Sequence, residues 1–175
     1  GFVTRISAGD FRRSAEIASD FLTLPASLGR ICPRLCEERC HRCETGEPLS
    51  VGALHRLTAD LDMASDARYI PRKEKATGKR VAIVGAGPAG LTAAYHLLRR
   101  GHAAILFDSH PAPGGMLRWG IPEFRLPRRE LNQEIDIIRL LGGEFRMQKR
   151  LGRDFTLDDL RRDFDAVFLA IGAQG

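Results

Sequence analysis

Long apolar runs are missing from the sequence, and its apolar segments are only as long as single strands. A helix that spans a membrane needs about 20 consecutive apolar residues, so we expect no such helix. The first residues also lack the apolar core of a signal peptide. The formal net charge is +5, but the basic residues are scattered among acids and form no single patch. Polar helix faces explain this pattern better than a nucleic-acid-binding surface.

Cysteine is absent outside one short segment, which holds all four cysteines within twelve residues: Cys32, Cys36, Cys40 and Cys43. Such a concentration indicates a metal or cluster site. If residues 33–43 form a helix, their spacing places the four sulfurs along one stripe, where thiolates could hold an iron–sulfur cluster. Zinc and plain structural thiols are the alternatives. A disulfide would need an oxidising compartment, which nothing else indicates, and we expect a cytoplasmic protein.

The chain is predicted to divide at residues 65–78, a polar segment without apolar periodicity that is typical of a linker. Residues 1–64 predict a small all-α domain, in which Asp10 and Ser50 could cap two amphipathic helices. Residues 79–175 predict an α/β domain with a mostly parallel, Rossmann-like sheet and helices on both faces.

The start of the α/β part has the pattern of a dinucleotide-binding unit. A β-branched apolar run ends at a G-x-G-x-x-G motif formed by Gly85, Gly87 and Gly90, and a helical pattern follows. Gly85 allows the tight turn, Gly87 lets the backbone approach a pyrophosphate, and Gly90 lets the helix pack closely on the sheet. The helix N-terminus then offers N–H groups to the phosphates. A glycine-rich turn in a ligand-free domain is the alternative.

A second apolar run, residues 103–107, follows the helical pattern and ends at Asp108. Asp108 is placed to accept hydrogen bonds from an adenosine ribose. No arginine directly follows Asp108, and its carboxylate would repel a 2′-phosphate. The pattern therefore favours FAD or NAD over NADP as the ligand.

Five runs of the sequence together resemble one family: GRICPRLCEERC, EPLSVGALHRLTAD, TGKRVAIVGAGPAG, PGGMLRWGIPEFRLP and VFLAIGA. They resemble the glutamate synthase small-subunit family of FAD/iron–sulfur oxidoreductases, which includes the N-terminal part of dihydropyrimidine dehydrogenase. The resemblance covers nearly the whole chain. It implies an iron–sulfur domain followed by the first half of an FAD-binding domain.

The resemblance also implies site residues. The segment 85–91 would cradle the FAD pyrophosphate, the 114–116 loop would pass close to the cofactor, and Leu151 would line the adenine side. The implied FAD-binding residues are Gly85, Gly87, Pro88, Ala89, Gly90, Leu91, Asp108, Gly114, Gly115, Met116, Arg125 and Leu151. The implied ligands of a 4Fe–4S cluster are Cys32, Cys36 and Cys40, and Cys43 could supply a further thiolate.

Two departures from the family affect these implications. The family pattern C-G-R-x-C has Leu28 at its first position here, and the family's further upstream cysteines are absent from the sequence. His55 falls where some members place a non-cysteine ligand, although a half-buried helix histidine is the simpler interpretation. The NAD(P)H-binding domain of the family also has no counterpart here.

The functional prediction is an FAD- and iron–sulfur-binding electron-transfer segment of an NAD(P)H-dependent oxidoreductase. It would work with other domains or subunits of a redox enzyme, and no catalytic acid or base is evident. The cofactors would carry the redox chemistry. The alternative is a non-enzymatic dinucleotide-binding interaction module, or a fragment with incomplete cofactor sites.

Overall fold

The computed structural model describes residues 1–173 and divides into two units. The first unit comprises residues 1–69 and 123–130, and the second comprises residues 70–122 and the chain from residue 131. No helix or strand occurs between Met63 and Arg80; the domain bounds at residues 64 and 79 stay a prediction. None of the described helices is long and apolar enough to cross a membrane.

Five α-helices and one 3₁₀ turn build the first unit. They are α1 (Phe2–Ser7), α2 (Phe11–Phe21), α3 (Pro25–Ile31), α4 (Leu35–Glu38), the 3₁₀ turn (His41–Glu44) and α5 (Val51–Met63). The side chain of Asp10 caps α2 as predicted, since its carboxylate accepts the N–H of Arg13 at 3.1 Å. Ser50 occupies the N-cap position of α5 but makes no side-chain cap bond. There the Glu37 carboxylate accepts the N–H of Gly52 at 2.8 Å.

Small residues bring the helices of the first unit close together. A Cβ on Gly29 in α3 would lie 2.6 Å from the backbone nitrogen of Arg56 in α5, so these helices touch through their backbones. Ala26 and Ala59 are also buried. The core between α2 and α5 holds the Ser14 hydroxyl, which donates to the Phe2 carbonyl at 3.0 Å. The unit is therefore a compact helical packing with little side-chain bulk at its centre.

The second unit is built on a four-stranded parallel sheet. Its strands are β1 (Arg80–Val84), β2 (Ala103–Asp108), β3 (Glu144–Met147) and β4 (Ala166–Leu169), in the order β3-β2-β1-β4. Its helices are α6 (Pro88–Arg99), α7 (Met116–Trp119), α9 (Leu157–Asp163) and all but the first three residues of α8 (Arg128–Leu140). The register pairs Val81 with Ala104 and with Ala166. The predicted Rossmann-like parallel sheet is thus confirmed.

The central strands β1 and β2 are apolar and buried on both faces, as is typical of parallel sheets, whereas β3 and β4 are partly exposed. On one face, Val84 and Phe107 pack with Leu160 of α9. On the other face, Ile83 lies beneath Gly90 of α6. The carboxyl ends of β1 and β2 consequently open at one edge of the sheet, next to the start of α6. This edge is where parallel α/β sheets bind ligands.

Candidate functional site

Two glycines of the G-x-G-x-x-G turn are required by the protein itself. Gly85 has a φ of +109°, and a Cβ there would overlap the carbonyl oxygen of Ala170. A Cβ on Gly90 would overlap the carbonyl oxygen of Gly85 and lie 3.2 Å from Cγ2 of Ile83. Both side chains are therefore excluded by neighbouring backbone, whether or not a ligand is bound.

Gly87 is different, because nothing in its described surroundings requires a glycine. Its backbone is extended, with a φ of −81° and a ψ of −173°, and other residues adopt this conformation freely. The closest atom to a Cβ at this position would be the Cα of Gly115, at an ordinary contact distance of 3.7 Å. The missing side chain leaves space at the start of α6. Such a space suits the close approach of a pyrophosphate.

The N-terminus of α6 faces this space with unpaired backbone amides. Gly87 is the N-cap and has no side-chain cap bond, and Pro88 at the next position has no N–H. The first ladder bond runs from the N–H of Leu91 to the carbonyl of Gly87 at 2.9 Å. The amides of Ala89 and Gly90 thus precede the hydrogen-bond ladder of a 12-residue helix. They are positioned to bind an anionic group.

A second glycine loop lies against the first. The N–H of Gly114 donates to the carbonyl of Ala86 at 2.8 Å, and Gly114 and Gly115 have φ values of +132° and +51°. A Cβ on Gly115 would lie 2.6 Å from the Cα of Gly87. Met116 follows as the first residue of α7, with 70% of its surface exposed. The two loops predicted to contact the cofactor are therefore adjacent.

Asp108 joins the end of β2 to the glycine turn. Its Oδ2 accepts the N–H of Ala86 at 2.7 Å, and its Oδ1 accepts the N–H of His110 at 2.8 Å. Only 9% of Asp108 is exposed. Both backbone groups of Ala86 are consequently paired, one with Asp108 and one with Gly114. This arrangement fixes the carboxylate beside the glycine turn.

Three of the predicted FAD-binding residues lie outside the two glycine loops. Leu91 is fully buried in the core of the second unit. Leu151 packs against the apolar cluster that contains Val84 and forms a bridge with Phe155. Arg125 is exposed and belongs to the first unit, whereas the glycine turns belong to the second. Their contacts with a cofactor stay predictions.

Residues 33–43 do not form a single helix, so the condition for placing the four sulfurs along one stripe is not met. Helix α3 ends at Ile31, and Cys32 has an extended ψ of 134° because a proline disfavours the helical conformation of the preceding residue. Arg34 then adopts a left-handed conformation with a φ of 62°. Helix α4 is only four residues long, and Cys40 is extended again. The sulfurs therefore do not follow one helical stripe.

The four thiols are free; three are exposed, and Cys40 is partly exposed. The backbone N–H of Arg34 donates to Sγ of Cys32 at 3.4 Å. Hydrogen bonds from the backbone of Leu49 and of Arg42 lower the pKa of the Cys40 thiol. The lowered pKa favours the thiolate form of Cys40, the form that binds iron. Among residues 1–173, however, no three cysteine, histidine or carboxylate side chains are close enough together to hold a metal ion. The chemistry of the donors fits a cluster, whereas their positions in the structure do not form one.

His55 packs against an aromatic side chain of the first unit. Its ring stacks on that of Phe2, with centroids 4.4 Å apart and an angle of 19° between the planes. Burial lowers the pKa of His55. This stacking explains the presence of His55 as part of the packing between helices, without a role as a metal ligand.

Two family models match the chain. Residues 1–67 match the family described as "Dihydroprymidine dehydrogenase domain II, 4Fe-4S cluster". Residues 83–127 match the family described as "NAD(P)-binding Rossmann-like domain". The chain thus matches a 4Fe–4S-type domain followed by a Rossmann-like dinucleotide-binding domain.

Curated relatives match almost the whole chain. The NADP(+)-dependent formate dehydrogenase subunit beta of Moorella thermoacetica is 40% identical over 98% of the chain. The glutamate synthase [NADPH] small chain of Escherichia coli is 41% identical over 94%. The NADPH-Fe(3+) oxidoreductase subunit beta of Geobacter sulfurreducens is 37% identical over 98%. The chain spans 27%, 35% and 26% of these relatives' own lengths.

The chain is therefore homologous, over most of its length, to the glutamate synthase small chain, which confirms the resemblance predicted from the sequence. The names of these three relatives each refer to NADP(+) or NADPH. Relatives several times longer than this chain also fit the predicted need for further domains or subunits.

Proposed function

We propose that this chain binds FAD and an iron–sulfur cluster and transfers electrons within an NAD(P)H-dependent oxidoreductase. The observation that carries the proposal is the space at Gly87. It lies at the N-terminus of α6, between the Gly114–Gly115 loop and the turn that Asp108 holds. A fold that needs no glycine there nevertheless has one, and a pyrophosphate in that space supplies the reason.

Each part of the site has a distinct role in this proposal. The amides of Ala89 and Gly90 bind the phosphates, and Asp108 accepts a hydrogen bond from the adenosine ribose. The Gly114–Gly115 loop closes the opposite side of the phosphates without side-chain bulk. Bound FAD supplies hydride acceptance and one-electron transfer, while the protein supplies position and electrostatics.

The cysteine segment is proposed to bind the iron–sulfur cluster through Cys32, Cys36 and Cys40, with Cys43 as a further candidate ligand. The family match to residues 1–67 supports this role, as do the backbone hydrogen bonds that lower the pKa of the Cys40 thiol. A cluster held by these thiolates would supply one-electron transfer.

A second candidate function is direct binding of NAD(H) in the same space, which the description of the family matching residues 83–127 favours. Calorimetric titration of the apoprotein with FAD, NADH and NADPH separates the two. The proposal expects FAD to bind at least about tenfold more tightly than either nicotinamide nucleotide, a difference of about 1.4 kcal/mol. Preferred binding of NADH would establish the second candidate.

A matched pair of variants ties the titration to the proposed space. Gly87→Val should abolish FAD binding because its side chain fills the space at the start of α6. Gly46→Val adds the same side chain at a glycine with open surroundings in the first unit, and should leave FAD binding unchanged. Stoichiometric FAD in purified Gly87→Val would refute the placement of the pyrophosphate.

A further inference from the structure

His110 makes two contacts with the carboxylate that is proposed to bind ribose. Its backbone N–H donates to Oδ1 of Asp108 at 2.8 Å, which closes a turn between residues two apart. Its ring Nδ1 also lies 3.0 Å from the same Oδ1. Because carboxylate oxygens accept hydrogen bonds, the tautomer with its proton on Nδ1 is the one that completes this contact. The imidazole therefore contacts Oδ1 of the carboxylate, whereas the N–H of Ala86 contacts Oδ2.

The ring of His110 is itself held in place. It stacks on the indole of Trp119, with centroids 5.5 Å apart and an angle of 24° between the planes. Trp119 ends α7, the short helix that follows Gly115. The carbonyl of His110 accepts the N–H of Gln148, just beyond β3, at 3.1 Å. One residue thus connects the end of β2, the second glycine loop and the end of β3.

The hydrogen bonds of Asp108 leave a defined acceptor position. A carboxylate offers about four lone-pair positions. Oδ1 accepts both the N–H and the Nδ1–H of His110, whereas Oδ2 accepts the N–H of Ala86. The remaining position lies on Oδ2, beside the glycine turn. A ribose hydroxyl can donate to it.

We propose that His110 is a positioning residue for the adenosine ribose: its imidazole fixes Oδ1 of Asp108, so that Oδ2 points its remaining acceptor position toward a ribose hydroxyl. This inference rests on the proposed function. Without the imidazole, the carboxylate keeps two backbone donors but loses its ring contact, and Trp119 loses its stacking partner. The selectivity for a ribose with hydroxyls should then fall, while contacts to the phosphates remain.

The test measures the ratio of the affinities for ADP and for 2′,3′-dideoxy-ADP, which a general loss of structure would not change. ADP and 2′,3′-dideoxy-ADP share the pyrophosphate and adenine, and differ only in the ribose hydroxyls. Each competes with FAD for wild-type protein, and ADP should bind about tenfold more tightly, as expected for a hydrogen bond to a charged group. In His110→Ala this ratio should fall below about threefold.

Two further variants serve as controls. His110→Asn keeps an N–H donor near the position of Nδ1 and should recover most of the ratio. His102→Ala removes another histidine of the same unit, whose Nδ1 lies 2.7 Å from Oγ1 of Thr77, and should keep the full ratio. Asp108→Ala should abolish the ratio.

The outcomes are distinguishable. An unchanged ratio in His110→Ala, together with its loss in Asp108→Ala, would overturn the positioning role and leave the proposed function standing. Equal binding of both nucleotides by the wild type would overturn the role of Asp108 and of His110. A wild-type protein that binds neither FAD nor ADP would overturn the proposed function, and this inference with it.

Discussion

Replacing Gly87 with aspartate should separate ligand binding from folding. Gly87 is the N-cap of α6, has an extended backbone and has no side-chain cap bond. Aspartate is among the preferred N-cap residues, because its carboxylate accepts the first free amides of a helix. A Cβ at this position meets only the Cα of Gly115, at 3.7 Å. We therefore expect Gly87→Asp to raise the free energy of unfolding by about 0.5–1 kcal/mol.

The same substitution should abolish FAD binding. The new carboxylate would occupy the amides proposed for the pyrophosphate and stand beside its charges. At about 5 Å and an effective dielectric constant of about 20, each pair of like charges costs about 3 kcal/mol. The dissociation constant for FAD should consequently rise by more than about 100-fold, since tenfold corresponds to about 1.4 kcal/mol.

Gly90→Ala is the matched comparison, because it perturbs the fold at the neighbouring glycine. Its Cβ would overlap the carbonyl oxygen of Gly85, and backbone cannot rotate away as a side chain could. Overpacking of this kind costs about 1–3 kcal/mol of unfolding free energy. Denaturant unfolding of the apoproteins, followed by the fluorescence of the sole tryptophan, Trp119, measures both effects. The reasoning is refuted if Gly87→Asp binds FAD like the wild type, or is destabilised as strongly as Gly90→Ala.

Three further predictions concern the first unit. Gly29→Ala places a methyl group 2.6 Å from the backbone nitrogen of Arg56 and should lower the free energy of unfolding by about 1–3 kcal/mol. Gly46→Ala, at a glycine with open surroundings, should change it by no more than about 0.5 kcal/mol in the same denaturant titration. Burial lowers the pKa of His55 in the fold, so its contribution to stability is present above its ordinary pKa of about 6.5 and is lost as the pH falls below that value. Unfolding midpoints between pH 7.5 and about 5.5 should therefore drop more steeply for the wild type than for His55→Phe, and parallel curves would contradict the burial effect. Cys40→Ser should reduce the iron and acid-labile sulfide of anaerobically purified protein, since Cys40 is the thiol whose pKa the backbone lowers; unchanged iron content would remove it from the ligand set.

The parallel sheet could be predicted from the sequence because its signals are local. The run from Val81 to Val84 is apolar and β-branched, and the glycine motif follows it directly. The amphipathic helix α8 has its buried face at Leu131, Ile135 and Ile138, as its periodicity predicts. In each case the residues that determine the strand or helix lie within it, so the element can be predicted from a single sequence.

The cysteine segment could not be predicted correctly from spacing alone. Cysteines three or four residues apart suit a helix, but Pro33 and the left-handed Arg34 break that helix. The proline was visible in the sequence, and its effect on the preceding Cys32 was the signal that argued against a helix continuing from α3 into this segment. The left-handed residue was not predictable, because arginine rarely adopts this conformation.

The roles of neighbouring site residues also depend on the three-dimensional structure. The motif makes Gly85, Gly87 and Gly90 look alike, but only their spatial neighbours separate the two that the fold requires from the one it does not. His110 gave no signal in the sequence, since its role depends on the carboxylate of Asp108 and the ring of Trp119. Contacts between distant segments are not encoded in local pattern.

The most direct test of the central claim is the cofactor content of the protein purified under anaerobic conditions. The measurement combines the visible absorption spectrum with analysis of flavin, iron, acid-labile sulfide and zinc. The account predicts stoichiometric FAD together with iron and sulfide, and their broad absorption beneath the flavin bands. A colourless protein without flavin, or one that holds zinc without iron or sulfide, would contradict it.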